Sequence, residues 1–229
     1  MATTFLFSSR NTEMELEETR EKIIKTSTEL FLRDGCKRVT MDNIATQMHI
    51  SKRTLYEIFA TKEELLNACI YAIHQEIEKG KEKLCSQVDE PILLAIFLLR
   101  GTVETNHKYD TFIEDIQRYY PEIYNQFTTM HSSLFRQELA AALREAQQKG
   151  IIRPNADLEQ IFNAIQSLMK SCHTAETQEQ KKEWVKNVSE TSYTFIRGLM
   201  TAEAIERYDA QEETFRHLFA GTIENENKI

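Results

Sequence analysis

The chain has 229 residues and a net charge of −8, with 41% hydrophobic residues, six glycines and three prolines. That length allows one or two domains with a sizeable core, and so little glycine and proline favours long helices over a many-turned β protein. The acidic balance argues against an extended polyanion-binding surface, yet the charge is uneven: Lys and Arg number 10 against 9 Asp and Glu over residues 1–62, and 18 against 27 over residues 63–229.

In chain order, residues 1–13 read as a disordered extension, with Met14 a candidate start. The first helix is expected from about Leu16 to Arg33, with Ile23, Ile24, Ser27, Leu30 and Phe31 inward and Gly35 as its stop. Arg20 and Lys22 near its start are either phosphate contacts or part of a solvated charged face. Next, Met41, Ile44, Ala45 and Met48 recur at i, i+3, i+4 and i+7, one apolar stripe, with Thr40 before them as a cap. A second short helix starts at Ser51 and carries Leu55, Ile58 and Phe59 on one face, while Ile50 plugs the corner between the two. This is the layout of a helix-turn-helix. The exposed start of its second helix presents Ser51, Lys52, Arg53, Thr54 and Tyr56, cations and hydroxyls suited to base edges and phosphates. A basic tip on an acidic body suits a small, local contact with DNA.

Thr61 and Glu64 form a capping-box pattern that opens a helix over 62–84, with Leu65, Leu66, Cys69, Ile70, Ile73 and Ile77 at helical spacing. Lys62 lies at its N-terminus, where a cation and free backbone amides both suit an anion. Asp89, Glu90 and Pro91 start the next helix, which is apolar all round from Ile92 to Leu99 and therefore buried. Further helices are expected at 109–119, 121–149, 157–173, 179–199 and 201–219, with Pro121, Gly150 and an Asp157/Gln160 capping box as punctuation. The fold class is all-α, about nine to ten helices, with a three-helix helix-turn-helix domain at 14–61 followed by a larger helical domain at 62–229.

The cysteines, Cys36, Cys69, Cys85 and Cys172, show no CxxC and no zinc-finger spacing, so they read as reduced thiols with no metal and no cofactor. No run of eighteen apolar residues suggests a membrane span, and a cytoplasmic protein is expected. Gly-rich phosphate loops, GxSxG and HExxH are all missing, and the histidines are scattered, which argues against an all-α enzyme.

The run ISKRTLYEIFATKEEL resembles the signature of the TetR family of bacterial transcriptional regulators, and EETREKIIKTSTELFLRDGCKRVTMDNIATQM resembles that family's first two helices. The resemblance covers roughly residues 17–70. Two positions depart from the family's usual pattern. His49 stands where glycine is common, in a turn that often needs φ > 0, and Arg53 stands where a small residue or proline is common. The resemblance implies a dimeric regulator, most often a repressor, that binds a palindromic double-stranded operator and is released by a small-molecule effector. A relative that binds DNA without an effector, as a nucleoid or partner-protein adaptor, is the alternative. It also implies that Thr40, Tyr56 and Lys62 hold the DNA backbone. Two late helices should pair with their copies in a homodimer, and Ile161, Ile165, Leu168, Trp184, Val188 and Phe195 are the candidate interface. Candidates for an effector pocket are Phe97, Arg100, Tyr109, Phe112, Tyr119 and Phe127. Met130, His131, Phe162, Gln166 and Met169 complete that set, which suits an apolar or aromatic ligand. Aromatics and methionines at helical spacing are, however, more often plain core.

Overall fold

The computed structural model describes residues 2–85, 90–170 and 177–210. Arg100 and Met169 have side chains outside the described residues, as do residues 2–13, and the expected helix beyond 210 and Cys172 lie outside them altogether. The described residues form ten α-helices and no strand. They are α1 (Ala2–Asp34), α2 (Met41–Gln47), α3 (Lys52–Ile58), α4 (Lys62–Cys85), α5 (Pro91–Lys108), α6 (Asp110–Tyr119), α7 (Pro121–Gln148), α8 (Leu158–Lys170), α9 (Gln178–Arg197) and α10 (Ala202–Asp209). The one departure near the N-terminus is that α1 begins at Ala2, so the expected disordered stretch is helical in backbone. Neither Gly nor Pro occurs between Met1 and Asp34 to interrupt it.

Packing divides the chain into two units. The first comprises residues 1–80 and 109–130, and the second comprises residues 81–108 and 131–229. In the first, Ile23, Leu30 and Phe31 of α1, Ile44 of α2, Leu55 of α3, Leu65, Leu66 and Cys69 of α4, and Phe112 and Ile116 of α6 share one buried core. A boundary between residues 61 and 62 would therefore cut through packed side chains. The apolar stripe of α4 that suggested a long helix is spent, over its first turns, on the same core as α1 to α3.

In the second unit, α5 packs along α9 and α8 packs on α9. Ile92, Leu93, Ile96 and Leu99 of α5 meet Leu139 and Leu143 of α7, Ile161 and Phe162 of α8, and Ile196 of α9. The loops after α7 and α9 are zipped together. Ile152 and Met200 form an antiparallel bridge, Arg153 N–H donates to Leu199 O at 2.9 Å, and Thr201 N–H donates to Ile151 O at 2.9 Å. The carbonyls at the two helix ends are satisfied separately by local turns, Ala146 O accepting from Ile151 N–H and Arg197 O from Met200 N–H.

Gly35 ends α1 with φ +86, a left-handed conformation that glycine adopts without steric cost. Its space is also taken: a Cβ there would lie 2.9 Å from Oδ2 of Asp115. That carboxylate accepts the backbone N–H of Cys36 at 2.7 Å and so ties α6 to the end of α1. Gly35→Ala is expected to destabilise the protein by roughly 1–3 kcal/mol through left-handed strain alone, with the Asp115 contact adding to it. Gly80→Ala, inside α4 with nothing within 4 Å, should instead stabilise by about 0.5–1 kcal/mol. Thermal denaturation of the two variants checks the contrast, and shifts of the same sign would refute it.

Candidate nucleic-acid interface

The helix-turn-helix is built from caps, one turn and a few buried side chains. Thr40 caps α2 by a full capping box: its Oγ1 accepts the N–H of Asn43 at 3.2 Å, and its own N–H donates to Asn43 Oδ1 at 2.9 Å. Ser51 caps α3, its Oγ accepting the N–H of Thr54 at 3.0 Å. Between them His49 adopts φ 55, the left-handed conformation expected at this turn, and Ile50 N–H donates back to Ala45 O at 3.0 Å. Leu55 and Phe59 are fully buried, which leaves Lys52, Arg53, Tyr56 and Glu57 together on the outer face of α3.

The charges on that face are arranged against the helix. The first turn of α3 holds Lys52 and Arg53 and no acidic residue, while Glu57 stands in its last turn. A helix N-terminus favours anions and its C-terminus favours cations, so this order sacrifices stability. It suits a surface that meets an external polyanion. Both cations are paired in the free protein: Lys52 Nζ lies 2.5 Å from Asp42 Oδ2, and Arg53 Nε donates to Glu57 Oε1 at 2.8 Å.

Residues 23–69, which include all of this, match the model of the bacterial regulatory proteins of the tetR family. That match takes in the whole helix-turn-helix and leaves the larger part of the chain outside it. The matched region is a helix-turn-helix of the kind found in those DNA-binding regulators. The chain is similar to the transcriptional regulator YerO of Bacillus subtilis, at 42% identity over 67 residues, 29% of this chain and 23% of YerO. The similarity to YerO therefore spans less than a quarter of that protein. It is also similar to UidR of Escherichia coli, at 26% identity over 63% of this chain and 74% of UidR. A transcriptional regulator from Saccharomonospora viridis in complex with choline shares the fold, with a TM-score of 0.58 and 14% identity over 76% of this chain and 95% of that one.

The other residues expected to contact DNA sit differently from those of α3. The Thr40 hydroxyl is engaged with Asn43 on both its donor and acceptor sides. Lys62, at the start of α4, is half-buried and turned inward, its Nζ donating to the carbonyl of Cys36 and lying 5.8 Å from the ring centres of Phe31 and Tyr120. Burial lowers its pKa below that of an ordinary lysine, against the opposing pull of Glu63 and Asp115. Thr61 caps α4 as expected, accepting the N–H of Glu64 at 3.1 Å, but the Glu64 carboxylate returns to Ala60 N–H. Arg20 stacks over the ring of Phe59 at 5.0 Å, and Lys37 and Arg118 both lie over Tyr119.

The candidate pocket residues are divided between the two cores. Phe112 is buried in the first, with Tyr109 and Phe127 packed against it, and Tyr119 belongs to the same unit. Phe162 is buried in the second, under Arg136 at 5.5 Å. Phe97 and His131 of that unit are half-buried, and Met130 and Gln166 are exposed. Among the candidate interface residues, Ile161, Ile165 and Val188 are buried within a single chain. Leu168 and Trp184 are half-buried, and Phe195 is 38% exposed. An apolar stripe does not distinguish a helix's own core from a partner's, and here much of it serves its own core.

Residues that sequence reasoning passed over are Asn43, Asp42, Glu57 and Asp115. Asn43 and Glu57 carried local signals, an N3 capping position and i, i+4 spacing, and Asp42 carried only its place in the first turn of α2. Asp115 meets Cys36 across 79 residues of chain and left none.

Cys36 and Cys69 are buried, free thiols, and burial pushes both pKa values up to about 12. A protonated thiol is a poor nucleophile. Site-resolved iodoacetamide labelling at pH 8 should therefore reach Cys36 and Cys69 only as the protein unfolds, whereas fast labelling of the native protein would show a local opening.

Proposed function

We propose that this protein is a dimeric repressor of the TetR family that reads a palindromic operator with α3 and acts in the cytoplasm, without catalysis, under control of a small-molecule effector. The observation that carries this reading is the outer face of α3, where Lys52 and Arg53 sit at the end of the helix that disfavours cations. Arg53 and Lys52 would contact guanine O6 and N7, with Ser51 and Thr54 near them and Thr40, Tyr56 and Lys62 on the phosphates. Two copies would place their α3 helices about one DNA turn apart, roughly 34–36 Å. Selection from a random double-stranded DNA library tests the reading: a palindromic sequence should be enriched. Arg53→Ala should then lose about 1–3 kcal/mol of discrimination at one position of each half-site.

Lys62 would have to exchange the Cys36 carbonyl for a phosphate. Lys62→Ala is therefore expected to weaken binding to all duplexes alike and to lower the salt slope by about 0.9 per lost contact. A lower melting temperature with an unchanged slope would make Lys62 an internal strut instead.

For the dimer, Phe195 is the probe of choice, because a charge at Ile165 would disrupt the core of one chain. Phe195→Glu should shift sedimentation from dimer to monomer while the helical circular dichroism is retained. A native protein that sediments as a monomer at micromolar concentration would exclude this assembly.

The choline complex of the Saccharomonospora viridis protein supports an effector for the same fold. The second reading, a DNA-binding adaptor without an effector, draws on the tight packing of Phe112 and Phe162, which are 2% and 4% exposed. An effector can release DNA only by binding the two shapes of the dimer differently, with a typical coupling of about 1–3 kcal/mol.

A further inference from the structure

Asp42 and Glu57, the two carboxylates on the helix-turn-helix surface, pair with its two cations, and only one of them has a structural reason to be there. Asp42 lies in the first turn of α2, where an anion complements the helix dipole, and its bond to Lys52 joins α2 to α3. Glu57 lies in the last turn of α3, where an anion is disfavoured. Its pairing with Arg53 runs cation first and carboxylate four residues later, the weaker orientation for a helical pair. Both side chains are largely in water, at 86% and 60% exposure, where such a pair adds little to stability. A lone carboxylate on this face would also repel DNA phosphates. Neither folding nor non-specific DNA affinity accounts for Glu57.

The geometry of the bond does. Glu57 accepts from Nε of Arg53 alone, at 2.8 Å. Among the described residues, no other hydrogen bond occupies that guanidinium. The Nη1–Nη2 edge therefore stays available, and this is the edge that fits O6 and N7 of guanine with two parallel hydrogen bonds. An arginine on a bare helix end samples many rotamers, most of which point to phosphate or solvent. One held at Nε keeps its plane and its free edge in a fixed direction, and its partner's charge cancels part of its attraction for phosphate.

We infer that Glu57 is a specificity-determining residue that positions Arg53 for guanine, trading non-specific affinity for discrimination. The inference rests on the proposal that α3 reads an operator. It concerns positioning through Arg53, with no contact between Glu57 and the base.

The test uses the full-length protein and the duplex that the wild type selects from a random double-stranded library. Binding is measured to that duplex, to its full set of single base-pair substitutions and to an unrelated duplex, for wild type, Arg53→Ala, Glu57→Ala, Glu57→Gln and the double variant Arg53→Ala/Glu57→Ala. Glu57→Ala should lose about fivefold or more of its discrimination at the same base pair that Arg53→Ala affects, while binding the unrelated duplex more tightly than wild type does. Glu57→Gln keeps an acceptor oxygen and should retain part of the discrimination. The double variant should discriminate no worse than Arg53→Ala. An unchanged substitution profile in Glu57→Ala would overturn the inference, as would a loss confined to a base pair that Arg53→Ala leaves alone, since Glu57 would then read a base itself. If Glu57→Ala does not fold, Glu57→Gln carries the comparison, and a wild-type profile for it together with wild-type affinity for the unrelated duplex counts against the inference. A wild type that enriches no sequence overturns the operator reading and this inference together, whereas enrichment with any of the negative profiles overturns this inference alone.

Discussion

The outer face of α3 depends on the burial of two side chains, Leu55 within that short helix and Phe59 at its C-cap. α3 has seven residues, Lys52–Ile58, and a helix of that length does not persist in water without support. Its cap at Ser51 satisfies one end, and Phe59 N–H donating to Leu55 O closes the other. Its direction comes from Leu55 and Phe59 being fully buried in the core that α1, α2, α4 and α6 share. Everything that α3 can present outward follows from that anchoring, because Lys52, Arg53, Tyr56 and Glu57 are the residues left over once Leu55 has turned inward.

The same anchoring explains why the charges of α3 can be arranged against its dipole. A helix held by tertiary burial tolerates a few tenths of a kcal/mol lost at each end. Cations are therefore free to occupy the end nearest the turn, and the penalty is carried by the core. Local rules are expected to fail where a surface serves a ligand, and α3 is where they fail here. α2 beside it follows those rules, with Thr40 as cap and Asp42 in its first turn.

The helix-turn-helix was readable from sequence because each of its parts is local. The stripe Met41, Ile44 and Ala45, the caps at Thr40 and Ser51 and the left-handed turn at His49 all lie within a dozen residues of one another. The helix ends at Pro91, Pro121 and Gly150 were readable for the same reason. What was not readable is which surface each apolar stripe covers. Ile165 and Phe195 look alike in sequence as members of amphipathic helices, yet one is buried in its own chain and the other is 38% exposed. Phe112 and Phe162 look alike as pocket candidates and belong to different cores. Periodicity reports that a face is buried and carries no information on its partner.

Asp115 shows the consequence of that limit most directly. Its carboxylate accepts Cys36 N–H, fills the space beside Gly35 and lies close enough to influence Lys62. The same peptide segment offers the Cys36 carbonyl to the Lys62 ammonium. One short stretch after α1 is thus held from two sides, by an anion from α6 and a cation from the start of α4. Neither ion pairs with the other through a direct bond. Each instead holds a backbone group of Cys36, with charge-assisted hydrogen bonds that are stronger than neutral ones. The segment that leads into Thr40, and so into α2, takes its position from both ions. A motion of α6 relative to α1 would have to break the Asp115 bond or carry the start of the helix-turn-helix with it, and that makes α6 part of the DNA-binding unit in mechanical terms, although more than fifty residues separate it from α3 in the chain.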